Sequence, residues 1–77
     1  MNAVIVTIGN ELLQGFTLDT NASWIGKTLL AYNIQIKKIV TIGDTSDQIV
    51  YEINNILKEN FNFLFITGGL GPTHDDI

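Results

Sequence analysis

Ala3-Val4-Ile5-Val6-Thr7-Ile8 is an apolar, β-branched run relieved by one threonine, and its reading decides the fold. A strand with one face in water alternates polar and apolar side chains. A run without that alternation belongs to a strand covered on both faces, as in the middle of a parallel sheet with helices on either side. Gly9 ends the run. The class predicted is α/β, with this strand at the centre of the sheet.

Working outward, residues 10–19 read as a connecting stretch with room for one helical turn. Thr20 or Asn21 caps the start of a helix. Ala22, Ile25, Leu29 and Tyr32 share one face of it, and Asn33 closes it in a left-handed conformation. A second strand runs from Ile34 to Ile42. Ile34, Ile36, Val40 and Ile42 lie on one face, interrupted only by Lys38, while Gln35 and Lys37 make the strand polar enough for a sheet edge. After the Gly43-Asp44 turn, Thr45 and Gln48 stand at capping-box spacing, and Asp47 sits where the helix dipole favours an anion. That helix carries Ile49, Ile53, Ile56 and Leu57 on one face, has Lys58 in its last turn and ends near Asn60. Phe63-Leu64-Phe65-Ile66-Thr67 is the third strand. No internal repeat, low-complexity tract or linker stands out.

The order β-α-β-α-β implies a Rossmann-like parallel sheet with right-handed crossovers and helix layers on both sides. With the first strand central and the second at an edge, the strand order is 2-1-3. The winding direction reverses between strands one and three, and ligands bind in that kind of crevice. Here it is flanked by Gly9-Asn10-Glu11 and by the loop from Gly68 to Asp76. Three strands and two helices leave the sheet unclosed. Residues 1–77 are therefore expected to be the N-terminal part of one longer domain.

Composition narrows the function classes. The net charge is −4, there is no arginine, and the four cations (Lys27, Lys37, Lys38 and Lys58) are scattered. That is no footprint for a nucleic acid. The apolar runs are strand-sized, so no membrane partner is expected. The chain has no cysteine, which excludes disulfides and zinc-thiolate sites and fits a cytoplasmic protein. Without a guanidinium, a phosphorylated ligand must be balanced by backbone amides, a lysine, a bound cation or residues elsewhere.

The loops after all three strands emerge on one rim. They bring Glu11, Asp44, Asp75 and Asp76 together, half of the eight carboxylates, with Asp19 nearby. Carboxylates gathered without cations repel one another, and a hard cation such as magnesium, shared with ligand phosphates, would relieve that. The plainer reading is a solvated acidic edge whose carboxylates cap helices. Gly68-Gly69-Leu70-Gly71-Pro72-Thr73 has two readings as well: a cradle of backbone amides for phosphate, or a tight strand-to-helix turn. It is neither a Walker loop nor the dinucleotide fingerprint. Asp44 reads as a ligand group or a turn residue, Asn21 as a ligand group or a helix cap. His74 has no nucleophile at readable spacing. Trp24, off the main apolar stripe, reads as a subunit contact or a cover for a sheet edge.

Four blocks in order carry a family resemblance: Ile8-Gly9-Asn10-Glu11-Leu12-Leu13-Gln14-Gly15, Asp19-Thr20-Asn21, Gly43-Asp44, and Thr67-Gly68-Gly69-Leu70-Gly71-Pro72-Thr73-His74-Asp75-Asp76. Over its whole length the chain resembles the N-terminal domain of the CinA (competence/damage-inducible protein) family, within the molybdopterin-binding, MoaB/MogA-like superfamily. Asn10 departs from the family pattern, where many members have Asp. The resemblance implies a bacterial-type, cytoplasmic α/β domain, longer than this chain, that binds a phosphorylated nucleotide or pterin. It implies a metal-dependent pyrophosphatase acting on ADP-ribose in the full-length protein, with magnesium or a similar divalent ion and potassium as a further ion. Many members also carry a separate C-terminal domain that deamidates nicotinamide mononucleotide.

On this reading Asp44 and Asp76 are the catalytic residues, and Asp44, Asp75 and Asp76 the metal ligands. Glu11 and Asp75 are further candidates for a base. Gly9, Asn10, Glu11, Thr20, Asn21, Gly68, Gly69, Gly71 and Thr73 line the ligand. The alternatives are a molybdopterin-binding or adenylylating module of cofactor synthesis and a non-catalytic oligomerisation domain. The full-length protein is expected to be a homo-oligomer, and the 77-residue piece alone to be inactive.

Overall fold

In the computed structural model, which describes residues 1–68, the central strand β1 (Asn2–Ile8) lies between β2 (Gln35–Ile42) and β3 (Phe63–Thr67). Both pairings are parallel and the order is β2-β1-β3, as the pattern predicts. Every residue from Ala3 to Ile8 is buried, because helices cover both faces of this strand. Between the strands run α1 (Asn10–Leu13), α2 (Thr20–Leu30) and α3 (Ser46–Leu57). None of these helices is long and apolar enough to cross a membrane.

Side chains alternate across the sheet. Val4, Val6 and Ile8 point to the side where α3 packs, and form the main core with Ile42 and Ile56, flanked by Val40, Ile49, Ile53, Phe61 and Leu64. Ala3, Ile5 and Thr7 point to the other side, where Gly26 of α2 approaches Ile36. Phe63 and Phe65, in register with Ala3 and Ile5, stack on that side with ring centroids 6.2 Å apart.

One expectation about β2 fails for a definite reason. Ala3 pairs with Ile36, but Val4 pairs with Lys38, so Lys37 is an extra residue bulged out of the ladder. A one-residue bulge reverses which face the following side chains take. Ile36 therefore faces α2, while Val40 and Ile42 face α3; the four isoleucine and valine positions do not share a face. Lys38 moves to the α3 side and pairs there with Glu59, just past the helix, at 3.2 Å.

The helix ends hold further corrections. Asp19, one residue before the expected cap, caps α2: its Oδ1 accepts from the Ala22 amide at 3.0 Å. Thr20 and Asn21 are the first residues of the helix. Tyr32 lies beyond the end of α2 and is 72% exposed, and Leu57 on α3 is 66% exposed, so neither joins the core. Asn33 takes the left-handed conformation predicted for it, with φ 63°. Thr45 caps α3 by accepting from the Gln48 amide at 3.4 Å. The reciprocal half of the capping box is not made, since the Thr45 amide donates to the Gly43 carbonyl. Lys58 is the C-cap, and the helix stops at Leu57.

Candidate ligand-binding rim

Parallel pairing puts the C-terminal ends of β1, β2 and β3 on one rim, and close main-chain contacts lock the three turns there. The Gly9 amide donates to the Ile42 carbonyl at 3.0 Å, which carries the ladder one residue beyond the strands. The Asp44 amide donates to Oδ1 of Asn10, also at 3.0 Å. Gly68 has φ 76°, and a Cβ there would collide with the Ile8 carbonyl oxygen. Only glycine combines that backbone angle with that approach. Gly43 is tight as well: a Cβ would stand 2.5 Å from Oε1 of Gln48 and 3.2 Å from Oδ1 of Asn10.

The strand ends leading into the first two turns share a sequence. Val6-Thr7-Ile8-Gly9 and Val40-Thr41-Ile42-Gly43 are the same tetrapeptide, and the two copies lie in register, Val6 on Val40 through Ile8 on Ile42. The hydroxyl of Thr7, wholly buried, is satisfied by that of Thr41 at 2.9 Å. Thr67 of β3 pairs with Thr7 on its other side, so three threonines cross the sheet in a row beneath the rim. This repeated Val-Thr-Ile-Gly was the signal that would have found Thr7, Thr41 and the tight Gly43.

Of the expected site residues, Gly9 is buried at the end of β1, and Asn10 and Glu11 are exposed in α1. Asp44 is exposed in the turn before α3, tied to Asn10. Thr20 and Asn21 are exposed at the start of α2. Beside them Asp19 has a buried Oδ2 with no hydrogen-bond partner among the described residues. Gly68 opens the third turn. Gly69, Gly71, Thr73, His74, Asp75 and Asp76 lie outside the described residues. The structure therefore brings Asp44, Asn10, Gly9 and Gly68 to one rim.

Lys38 and Glu59 form the one ion pair among the described residues, and it lies away from the rim. Lys27 and Lys58 stand at the ends of α2 and α3 that lead to the opposite rim. Among the described residues no three His, Cys, Asp or Glu side chains stand close enough to hold a metal ion.

A cleft of about 620 Å³ opens beside Gly43, between Leu13 of α1 and Gln48, Tyr51 and Glu52 of α3, floored by Ile42. It lies on the β2 side of the rim. For the crevice expected between β1 and β3, one expected flank is the loop from Gly68 to Asp76, and beyond Gly68 that loop lies outside the described residues.

With this geometry in hand, known proteins show the same design. The family model "Probable molybdopterin binding domain" matches residues 4–77. A CinA-like protein of Salinibacter ruber is 43% identical over 77 residues, which is 100% of this chain and 18% of that protein. A protein of Thermococcus kodakarensis is 42% identical over 77 residues, 100% of this chain and 31% of its own length. The crystal structure of CinA from Thermoplasma acidophilum superposes with a TM-score of 0.84 at 37% identity, covering 97% of this chain and 44% of that one. The chain thus spans less than half the length of each of these relatives. They include archaeal proteins, so the likeness is not confined to bacteria.

Proposed function

This chain belongs to the family of molybdopterin-binding domains, in the MoaB/MogA-like group of CinA N-terminal domains, and from that premise we propose that its C-terminal rim binds a phosphorylated nucleotide and that the full-length protein hydrolyses ADP-ribose. The observation that carries the reading is the joining of the first two turns at the C-terminal rim of the sheet, through Asn10 and Asp44, with Gly68 pressed against the end of β1. The Gly9 and Asp44 amides are already bonded within the rim, so on this reading the main-chain donors that replace the missing arginine come from Gly68 and the glycines after it.

On this reading, amides of Gly68, Gly69 and Gly71 hold the diphosphate, Thr20, Asn21 and Thr73 bond ribose or phosphate, and Asp44 faces the reacting phosphate with Asp76. Water adds to phosphorus and the bridging P–O bond breaks, giving AMP and ribose 5-phosphate. Metal dependence belongs to the proposal, but the donors among the described residues do not make up a metal site. Asp75 and Asp76 would have to complete any such site.

The test is an assay of the full-length protein against ADP-ribose, with magnesium and with a chelator. The expected result is AMP and ribose 5-phosphate, lost in Asp76→Asn while the circular dichroism spectrum is kept. Undiminished hydrolysis by Asp76→Asn would rule out its assigned role. One observation favours a second reading: the matching family model is described by pterin binding. Binding of molybdopterin without turnover of ADP-ribose would select that reading.

A further inference from the structure

We infer that Asn10 is a positioning residue for Asp44: its side-chain oxygen holds the turn between β2 and α3 in place, and it does so without adding charge to the rim. The inference rests on the proposed reading in one respect, the role of Asp44 toward the ligand. The bond itself stands on geometry.

Asn10 opens α1, and its Oδ1 accepts the Asp44 amide at 3.0 Å. Among the described residues this is the one side-chain hydrogen bond that joins the turn after β1 to the turn after β2. It continues a main-chain tie, from the Gly9 amide to the Ile42 carbonyl. The absent Cβ of Gly43 leaves room for it, since Oδ1 of Asn10 lies 3.2 Å from where that carbon would stand. Beyond Asp44 the chain is fixed again. The Thr45 amide donates to the Gly43 carbonyl, and the Thr45 hydroxyl caps α3. Asp44 therefore sits between two anchors. Without Asn10, the anchor on the β1 side would shrink to the Gly9 bond, and the carboxylate would lose its fixed starting point relative to the end of β1.

The bond needs an oxygen acceptor and nothing more. An aspartate would supply one, and would also bring a negative charge next to Glu11 and Asp44 on a rim where an anionic ligand must settle. An alanine supplies neither. The two substitutions thus separate position from charge.

The experiment measures Asn10→Ala and Asn10→Asp in the full-length protein by hydrogen exchange at the Asp44 amide and by steady-state hydrolysis of ADP-ribose. In Asn10→Ala the Asp44 amide should exchange at least about tenfold faster, since its acceptor is gone. Its kcat should fall by about ten- to a hundredfold with KM little changed, because a reacting group is displaced while the binding surface stays. Asn10→Asp should restore the exchange protection and most of kcat, and should raise KM most at low salt, where added repulsion is least screened. An Asp44 amide that exchanges no faster in Asn10→Ala overturns the inference, and so does a kcat in Asn10→Asp as low as in Asn10→Ala. If the wild-type protein does not hydrolyse ADP-ribose, the proposed activity falls. The Asp44 amide then decides alone whether Asn10 holds the turn.

Discussion

The two rims of the sheet are built on opposite plans. At the N-terminal rim polar groups satisfy one another at ordinary distances. The Asn2 amide donates to Oδ1 of Asn62 at 2.8 Å, the Asn62 amide returns a bond to the Asn2 carbonyl at 3.0 Å, and the Gln35 amide donates to the Met1 carbonyl at 2.9 Å. At the C-terminal rim a Cβ at Gly68 would meet the backbone of β1, and one at Gly43 would meet the side chains of Gln48 and Asn10. The carboxylates of Glu11 and Asp44 stand there without an ion-pair partner among the described residues. One rim is finished as structure. The other is compact in its main chain and carries negative charge that is unbalanced among the described residues, so an anionic ligand there has repulsion to overcome.

Substitutions can break or sharpen that contrast. The largest effect is expected at Gly68. Alanine there takes an unfavourable φ and meets a carbonyl oxygen that belongs to the buried strand, so the cost should be about 3 kcal/mol in urea unfolding. A stable Gly68→Ala would mean the third turn is not packed on β1 as described. Gly43→Ala is milder, because the atom in the way is the free end of the Gln48 side chain. A loss of about 1 kcal/mol is expected, with most of it recovered in the double variant with Gln48→Ala. Full additivity of the two changes would show that Gln48 is not what fills the space.

On the opposite rim, Asn62→Ala removes one exposed acceptor and should cost about 0.5–1 kcal/mol. It should leave ADP-ribose affinity unchanged, and a matching loss of binding would blur the division between the rims. Lys38→Met should have the smallest effect. Its pair with Glu59 is exposed, and such pairs contribute about 0–1 kcal/mol. A larger change in thermal unfolding would place that pair among the structural anchors.

Much of this was legible in the residues. The unalternating run from Ala3 to Ile8 placed the centre of the sheet, the polar character of Gln35 and Lys37 placed an edge, and Asn33 marked a helix end by its tolerance of left-handed backbone. What could not be read depends on partners distant in the chain. A bulge at Lys37 leaves no mark in composition, because it arises from how β2 meets β1, and it reverses Ile36 relative to Val40. Asp19 outcompetes Thr20 and Asn21 as a cap since all three residue types can do the job, and only the path of the preceding loop decides. Tyr32 and Leu57 have the right helical spacing, yet α2 ends before Tyr32, and Leu57, the last residue of α3, stays exposed. The candidate rim was legible as a place, from the strand order. Its internal tie from Asn10 to Asp44 was not, since it joins positions 34 residues apart.

The most direct test follows backbone amide chemical shifts of the full-length protein as ADP-ribose is added. The account predicts that the perturbed amides cluster at Gly9, Asn10, Asp44 and Gly68, while Asn2, Gln35 and Asn62 stay in place. Shifts concentrated on those last three, with the glycine turns silent, would contradict it.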